Sequence, residues 1–279
     1  MKIGTCVYID DDNPLESKFS ALRKNGFDNC QIISWKQEKQ TDDMAAQIKG
    51  LAEKYGVTVS AFWCGYEGEC KWNFYEGPKT IGLVPPQLRE KRVGNLCHGS
   101  DFAVKLNVKN VVTHMGFIPE DPNDPLFSGL CDAVKCVALH CKQNGQNLLF
   151  ETGQETPTAM LRCFETVGED NLGVNLDTAN LILYGKANPA DALDVFGKYV
   201  KNLHAKDGMY PTDGHSLGKE VPVGDGKVDF VQVFKKLRDY GYDGFVTIER
   251  EIGGEQQMTD ILNAKKYLSK IISEIYGEE

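Results

Sequence analysis

Short apolar runs alternate with longer amphipathic stretches along the whole chain. Strand-like runs fall at 2–8, 29–35, 57–64, 109–116, 146–151, 172–177, 199–207 and 243–249. Between them, apolar residues recur at helical spacing over 14–25, 41–55, 86–106, 123–144 and 156–167, in turns up to Phe196, from Asp229 onward, and over 256–276. The punctuation agrees with this division. Pro14 follows Asn13 as a first-turn proline, Gly56 and Asn144-Gly145 close helices, and Asp229 reads as an N-cap. Strands too apolar to face water, each followed by a helix, predict a parallel sheet covered by helices. Eight such units at this length predict one closed (β/α)₈ barrel, a TIM barrel, spanning residues 1–279 as a single domain. No G-x-G-x-x-G follows the first strand, which weakens an open nucleotide-binding sheet.

The last four strands carry the chemistry. They read LLF-Glu151, GVNL-Asp177, VKNL-His204 and FVTI-Glu249, each an apolar run ending in a potential metal ligand. In a parallel barrel those ends converge on the face where catalytic groups sit. Three carboxylates brought together repel unless a cation neutralises them or protons stay bound, and the plainer alternative is a structural ion-pair cluster. Oxygen and nitrogen donors in this mix suit Mn²⁺, Mg²⁺ or Co²⁺, and Zn²⁺ less comfortably.

Composition narrows the partners. A formal charge of −9 argues against nucleic acid, whose binders display a basic face, but not against a small neutral substrate. No apolar run approaches the ~20 residues needed to span a bilayer, so no membrane partner is expected. The start, MKIGTCVYIDDD, has one basic residue before a strand-like run and resembles neither a signal nor a transit peptide. Nine cysteines without a CxxC pair read as small buried hydrophobes in a reducing, cytoplasmic setting.

The segments FET, NLDTAN, NLHAKD, VPVGDGKVDF and TIERE, between Phe150 and Glu251, resemble the second half of the xylose-isomerase-like sugar isomerase/epimerase superfamily. The ketose 3-epimerases, inosose dehydratases and related enzymes on keto-sugars are the relatives this likeness points to. The resemblance implies that Glu151, Asp177, His204 and Glu249 bind one divalent ion, Mn²⁺ foremost. It also implies that the ion holds a sugar carbonyl and neighbouring hydroxyl, stabilising an enediolate when the α-hydrogen leaves as a proton. In epimerase members two glutamates on opposite faces of the carbon remove and return that proton, roles that fall to Glu151 and Glu249. Members are often dimers or tetramers, though no interface can be read in this chain. Two positions depart from the ketose-epimerase pattern. Asn180 stands where a histidine is common, and Pro157 where a second glutamate is common, with Gln154 or Glu155 as partial substitutes.

Further substrate-binding candidates are weighed against plainer readings. His114, at the end of strand four, is an acid/base candidate or a structural histidine. Lys206 points the same way as His204 and could meet substrate or balance the carboxylates, or be a solvated loop lysine. Arg250 alternates away and reads as an ion-pair partner. The aromatic loop CGYEGECKWNFYEGPKT, and above all Trp63 before it, could stack on sugar C–H faces or pack over the barrel mouth or into a partner. The Gly-, Asp- and Pro-rich stretch 206–228 reads as a lid, and its VGDGKVD as a turn before a helix cap. The expectation is a carbohydrate isomerase or epimerase. A metal-dependent lyase on the same scaffold, either an inosose-type dehydratase or an enzyme eliminating the aglycone of a keto-glycoside, is the alternative. A phosphodiesterase-like relative would need more histidines than five and a basic groove, and a non-catalytic sugar-binding barrel is the remaining rival.

Overall fold

The computed structural model describes residues 1–277. The strands in chain order are β1 (Lys2–Tyr8), β2 (Asn29–Ser34), β3 (Thr58–Cys64), β4 (Asn110–Thr113), β5 (Asn147–Glu151), β6 (Leu172–Asp177), β7 (Val200–Ala205), β8 (Asp207–Met209), β9 (Lys219–Val221) and β10 (Phe245–Ile248). All but β8 and β9 form a closed parallel barrel in the order β1-β10-β7-β6-β5-β4-β3-β2. The helices are α1 (Leu15–Lys24), α2 (Asp42–Tyr55), α3 (Gly77–Thr80), α4 (Pro86–Lys105), α5 (Pro125–Gln143), α6 (Pro157–Val167), α7 (Asn180–Leu183), α8 (Pro189–Phe196), α9 (Phe230–Asp239) and α10 (Glu255–Tyr276). The (β/α)₈ expectation holds. Pro14 precedes α1 rather than opening it, and β4 stops at Thr113, before His114.

Local sequence explains where the helices begin. Asp124, Thr156 and Asn188 each accept a backbone N–H of the following turn, and each is followed by a proline at the first helical position. Pro157 is therefore a helix starter. Asp229 caps α9 by accepting from Gln232 N, and Phe230, Val233, Phe234 and Leu237 form its buried stripe.

Alternation along the strands divides the core in two. Ile33, Ala61, Trp63, Val112 and Leu149 face into the barrel. Their neighbours Ile32, Phe62, Val111, Leu148 and Phe150 join the larger core under the helices. Register then levels the strand ends. Val174 pairs with Val200, but a shift after it pairs Asn175 with Asn202 and Asp177 with His204. Without that bulge Asp177 would face Leu203, and the histidine would point to the wrong side.

Two long connections are shaped by single buried side chains. The fully buried Arg92 donates to the carbonyls of Gly82 (2.7 Å) and Glu67 (3.1 Å), and its guanidinium lies 4.3 Å from the Tyr66 ring centroid. That holds the loop carrying Trp72. The 206–228 stretch is not a plain loop, because β8 and β9 pair as an antiparallel hairpin. Asp207 anchors it by accepting from the N–H groups of Gly208, Gly224, Gly226 and Val228. A Cβ on Gly226 would lie 2.0 Å from Asp207 Oδ1, so the VGDGKVD turn needs glycine there.

All nine cysteines are free. Cys30, Cys64, Cys131, Cys141 and Cys163 are buried as expected, whereas Cys136 is exposed on α5 and Cys6, Cys70 and Cys97 are half-buried. No helix among the described residues is long and apolar enough to cross a membrane.

Candidate active site

Glu151, Asp177, His204 and Glu249 meet at the C-terminal mouth of the barrel, all buried, each offering a donor atom within 4.8 Å of the others. His204 Nδ1 lies 3.3 Å from Glu151 Oε1, 3.4 Å from Glu249 Oε2 and 3.8 Å from Asp177 Oδ2. What the remaining atoms do shows whether this cluster fits a divalent cation. Asp177 Oδ1 is occupied by the N–H groups of Ala179 (2.8 Å) and Asn180 (2.7 Å), while Oδ2 is buried without a hydrogen-bond partner. His204 Nε2 meets Gln31 Oε1 at 2.5 Å, while Nδ1 is likewise buried and without one. Asp177 and His204 are thus each fixed through one atom and free at the atom aimed at the other ligands. A divalent ion fits this donor set.

Gln31, on β2, was not foreseen from sequence. An Nε2–H held by its amide oxygen leaves Nδ1 with the lone pair a metal needs. Gln31→Leu is expected to weaken metal binding roughly 10- to 100-fold with the barrel intact, the usual cost of losing such a supporting bond. Metal titration of the variant checks this, and an unchanged affinity would show that Gln31 does not orient the ligand.

The charges are mutually adjusted. Burial would lower the His204 pKa, but the Glu151 and Glu249 carboxylates outweigh it and hold the imidazole well above its ordinary value. Burial raises Asp177, opposed by Lys206 and reinforced by Glu249 and Glu151, so in the absence of a cation this carboxyl keeps its proton well above the usual range. For Glu249, burial is overcome by Lys206 and His204, which keep it well below that range. For Glu151, burial is overcome by His204 and His114, and its pKa is lowered.

The other candidates surround this cluster. Lys206 is no solvated loop residue. It is fully buried, with Nζ 2.7 Å from Glu251 Oε2, 3.2 Å from Glu249 Oε2 and 3.3 Å from Asn180 Oδ1. Burial favours its neutral form, but Glu249, Asp177 and Glu251 hold its pKa well above the ordinary value. Asn180 reaches Glu151 Oε1 with its amide nitrogen at 3.4 Å. His114 packs Nδ1 3.3 Å from the Glu151 carbonyl oxygen and Nε2 3.8 Å from Glu151 Oε1, and burial lowers its pKa. Arg250 is an ion-pair residue, 2.8 Å from both Glu220 and Asp260. Through Glu220, which also accepts from Glu251 N, the β8–β9 hairpin is tied to the end of β10.

Trp63 lines the site and also supports it. Its indole Nε1–H donates to Glu151 Oε2, and its ring packs 4.7 Å from that of Trp35, so it holds a carboxylate in place. A cavity of about 350 Å³ opens above the cluster. Trp35, Trp63 and Trp72 supply an aromatic wall, and Gln154, Asn180 and Tyr184 a polar one. Leu217 and Glu251 also line it, Leu217 from the segment between β8 and β9.

Glu155 does not line this cavity, although Gln154 beside it does. It is buried, accepts from Gly153 N at 3.3 Å, and burial pushes its carboxyl up to about 8. A folded-state pKa raised above the ordinary 4.5 means stability that is intact below the unfolded value and lost as pH rises through about 8. Glu155→Gln should therefore be more stable than the parent above about pH 8, with the difference fading towards about pH 4. Urea unfolding at both values measures this, and an equal gain at both would contradict it.

Known proteins resemble this chain in sequence or in structure. Residues 19–271 match the sequence model of the family described as xylose isomerase-like TIM barrel. The crystal structure of a xylose isomerase domain protein from Planctomyces limnophilus is 31% identical, covers 99% of both chains and superposes with a TM-score of 0.92. Fructoselysine 3-epimerase of Escherichia coli O157:H7 is 24% identical over 89% of this chain and 90% of its own. Inosose dehydratase of Lacticaseibacillus casei is 28% identical over 52% of this chain and 54% of its own.

Proposed function

The chain belongs to the xylose isomerase-like TIM barrel family, and on that premise we propose that it is a divalent-metal-dependent sugar isomerase or epimerase acting by proton abstraction next to a carbonyl. The observation that carries the reading is the set of four strand-end donors, with Asp177 Oδ2 and His204 Nδ1 buried and unpartnered among them. Glu151, Asp177, His204 and Glu249 would hold the ion, Mn²⁺ in the first place, with Mg²⁺, Co²⁺ or Zn²⁺ as alternatives. When bound, it supplies Lewis-acid stabilisation of the negative charge that develops on the carbonyl oxygen.

The chain's own residues do the rest. Glu249, whose pKa is depressed, is ionised and able to accept the α-proton. Glu151 is held through Oε2 by Trp63 and presents Oε1 to the centre, the place from which a proton is returned to the carbon or carried to its neighbour. Lys206 keeps Glu249 in position through its ammonium hydrogen bond. The Trp35–Trp63–Trp72 wall keeps water from one side of the cavity and meets the C–H face of a sugar.

Elimination on the same scaffold is a second reading, favoured by Asn180. An amide stands where ketose epimerases commonly have a histidine, and it can hydrogen-bond a hydroxyl but not exchange a proton with it near neutral pH. The likeness to an inosose dehydratase supports the same reading. Incubating metal-loaded protein with free ketoses, 3-keto sugars and inososes in D₂O separates the two. Isomerase or epimerase action incorporates deuterium with no other change in mass. Elimination releases water or aglycone and leaves a conjugated enone that absorbs in the ultraviolet. Neither outcome with any α-hydroxyketone would overturn both.

A further inference from the structure

The polar wall of the cavity holds more hydrogen-bonding capacity than the protein uses. Gln154 is 1% exposed and lines the cavity, yet neither its amide oxygen nor its nitrogen has a hydrogen-bond partner. The Tyr184 hydroxyl, 6% exposed as a residue and on the same wall, makes no hydrogen bond of good geometry either, with the Gln154 amide beside it. Unpaired buried groups of this kind are costly, so they are kept where something else satisfies them. The same cavity is also lined by the indoles of Trp35, Trp63 and Trp72.

The charges around the cavity are equally one-sided. Its lining includes the carboxylates of Glu151, Glu249 and Glu251 and no lysine or arginine. The nearest ammonium, Lys206, is already engaged by Glu249 and Glu251. With the ion held by Glu151 and Glu249 and committed to the carbonyl end of the sugar, a phosphate elsewhere on the substrate would meet the Glu251 carboxylate and no lysine or arginine among the described lining residues, which is an unfavourable arrangement.

From these observations we infer that Gln154 and Tyr184 are specificity-determining residues that read the hydroxyls of an unphosphorylated sugar. The inference rests on the proposed sugar chemistry and adds the substrate class. An amide and a phenol offer both donors and acceptors, the complement of a run of hydroxyls. A site built to hydrogen-bond such groups discriminates strongly against partners that leave it unpaired.

The chain's three tryptophans, Trp35, Trp63 and Trp72, all line this cavity, so intrinsic fluorescence reports its occupancy directly and without turnover. Metal-loaded protein is titrated with D-fructose, sorbitol and D-fructose 6-phosphate. The neutral sugars should bind, and the phosphate should bind at least about tenfold more weakly than fructose. Gln154→Leu and Tyr184→Phe should each raise the neutral-sugar Kd by roughly tenfold, the scale of a lost hydrogen bond. Gln154→Arg, which places a cation on the wall, should narrow or reverse the preference against the phosphate. Equal or tighter binding of the phosphate, unchanged affinity in both truncations, or no binding of any neutral sugar would overturn the inference. Deuterium exchange into dihydroxyacetone, which lacks the distal hydroxyls, is followed in parallel. Its failure while sugars still bind would sink the proposed chemistry and leave the hydroxyl-reading wall standing.

Discussion

Glu249→Gln and Glu151→Gln are each expected to abolish solvent exchange of the substrate α-hydrogen, a loss of roughly 10³-fold or more, while the barrel stays folded. Glutamine keeps the shape and one oxygen but cannot accept the proton. At position 249 the change removes the charge that faces His204 Nδ1 at 3.4 Å and Lys206 Nζ at 3.2 Å. Lys206 retains Glu251 at 2.7 Å, so its buried ammonium is not left unpaired. At position 151 an amide oxygen can still accept from the Trp63 indole, and the loop geometry should survive. Exchange followed by NMR in D₂O, with circular dichroism to confirm folding, gives the result. Wild-type rates in either variant would remove that residue from the chemistry.

Metal removal is expected to stop exchange and lower the melting temperature, with both restored by Mn²⁺. The stabilisation follows from mass action: at a hundredfold excess over Kd, a ligand that binds only the folded state contributes about 2.7 kcal/mol. For a chain of this size that corresponds to roughly 5–10 °C. Protons compete for the same atoms, because the folded-state pKa values of Asp177 and His204 are raised when no cation is bound. Metal affinity should therefore fall as the pH is lowered through the range where those groups take up protons. His204→Ala should retain less metal at any pH. A melting temperature indifferent to Mn²⁺, or full exchange by stripped protein, would contradict the proposed centre.

The barrel and the four-residue cluster were legible because both are written in local pattern. An apolar run ending in Glu151, Asp177, His204 or Glu249 states the strand and its tip together, and parallel closure brings the tips to one mouth. What stayed hidden depends on contacts between residues far apart in sequence. Gln31 lies 173 residues from His204, and nothing near β2 marks it as the partner of an imidazole on β7. Tyr184 follows a short apolar helix and reads as core until the cavity places it beside Gln154. The glycines at 224 and 226 signal a turn, but the carboxylate of Asp207 that they wrap is visible only in three dimensions. Trp63 is a site candidate by its ring face, and the bond from its indole N–H to Glu151 is an addition that only the fold reveals. Pro157 looked like a lost carboxylate and is a helix start set by Thr156.

The central claim is that a metal held by these four strand ends lets the chain's carboxylates move a proton at the carbon next to a carbonyl. Deuterium uptake from D₂O into dihydroxyacetone, followed by NMR with metal-loaded and metal-stripped protein side by side, tests it most directly. The account predicts uptake with the loaded protein, none with the stripped protein, and recovery when Mn²⁺ is returned. Uptake independent of metal, or no uptake by loaded protein that demonstrably binds sugar, would contradict it.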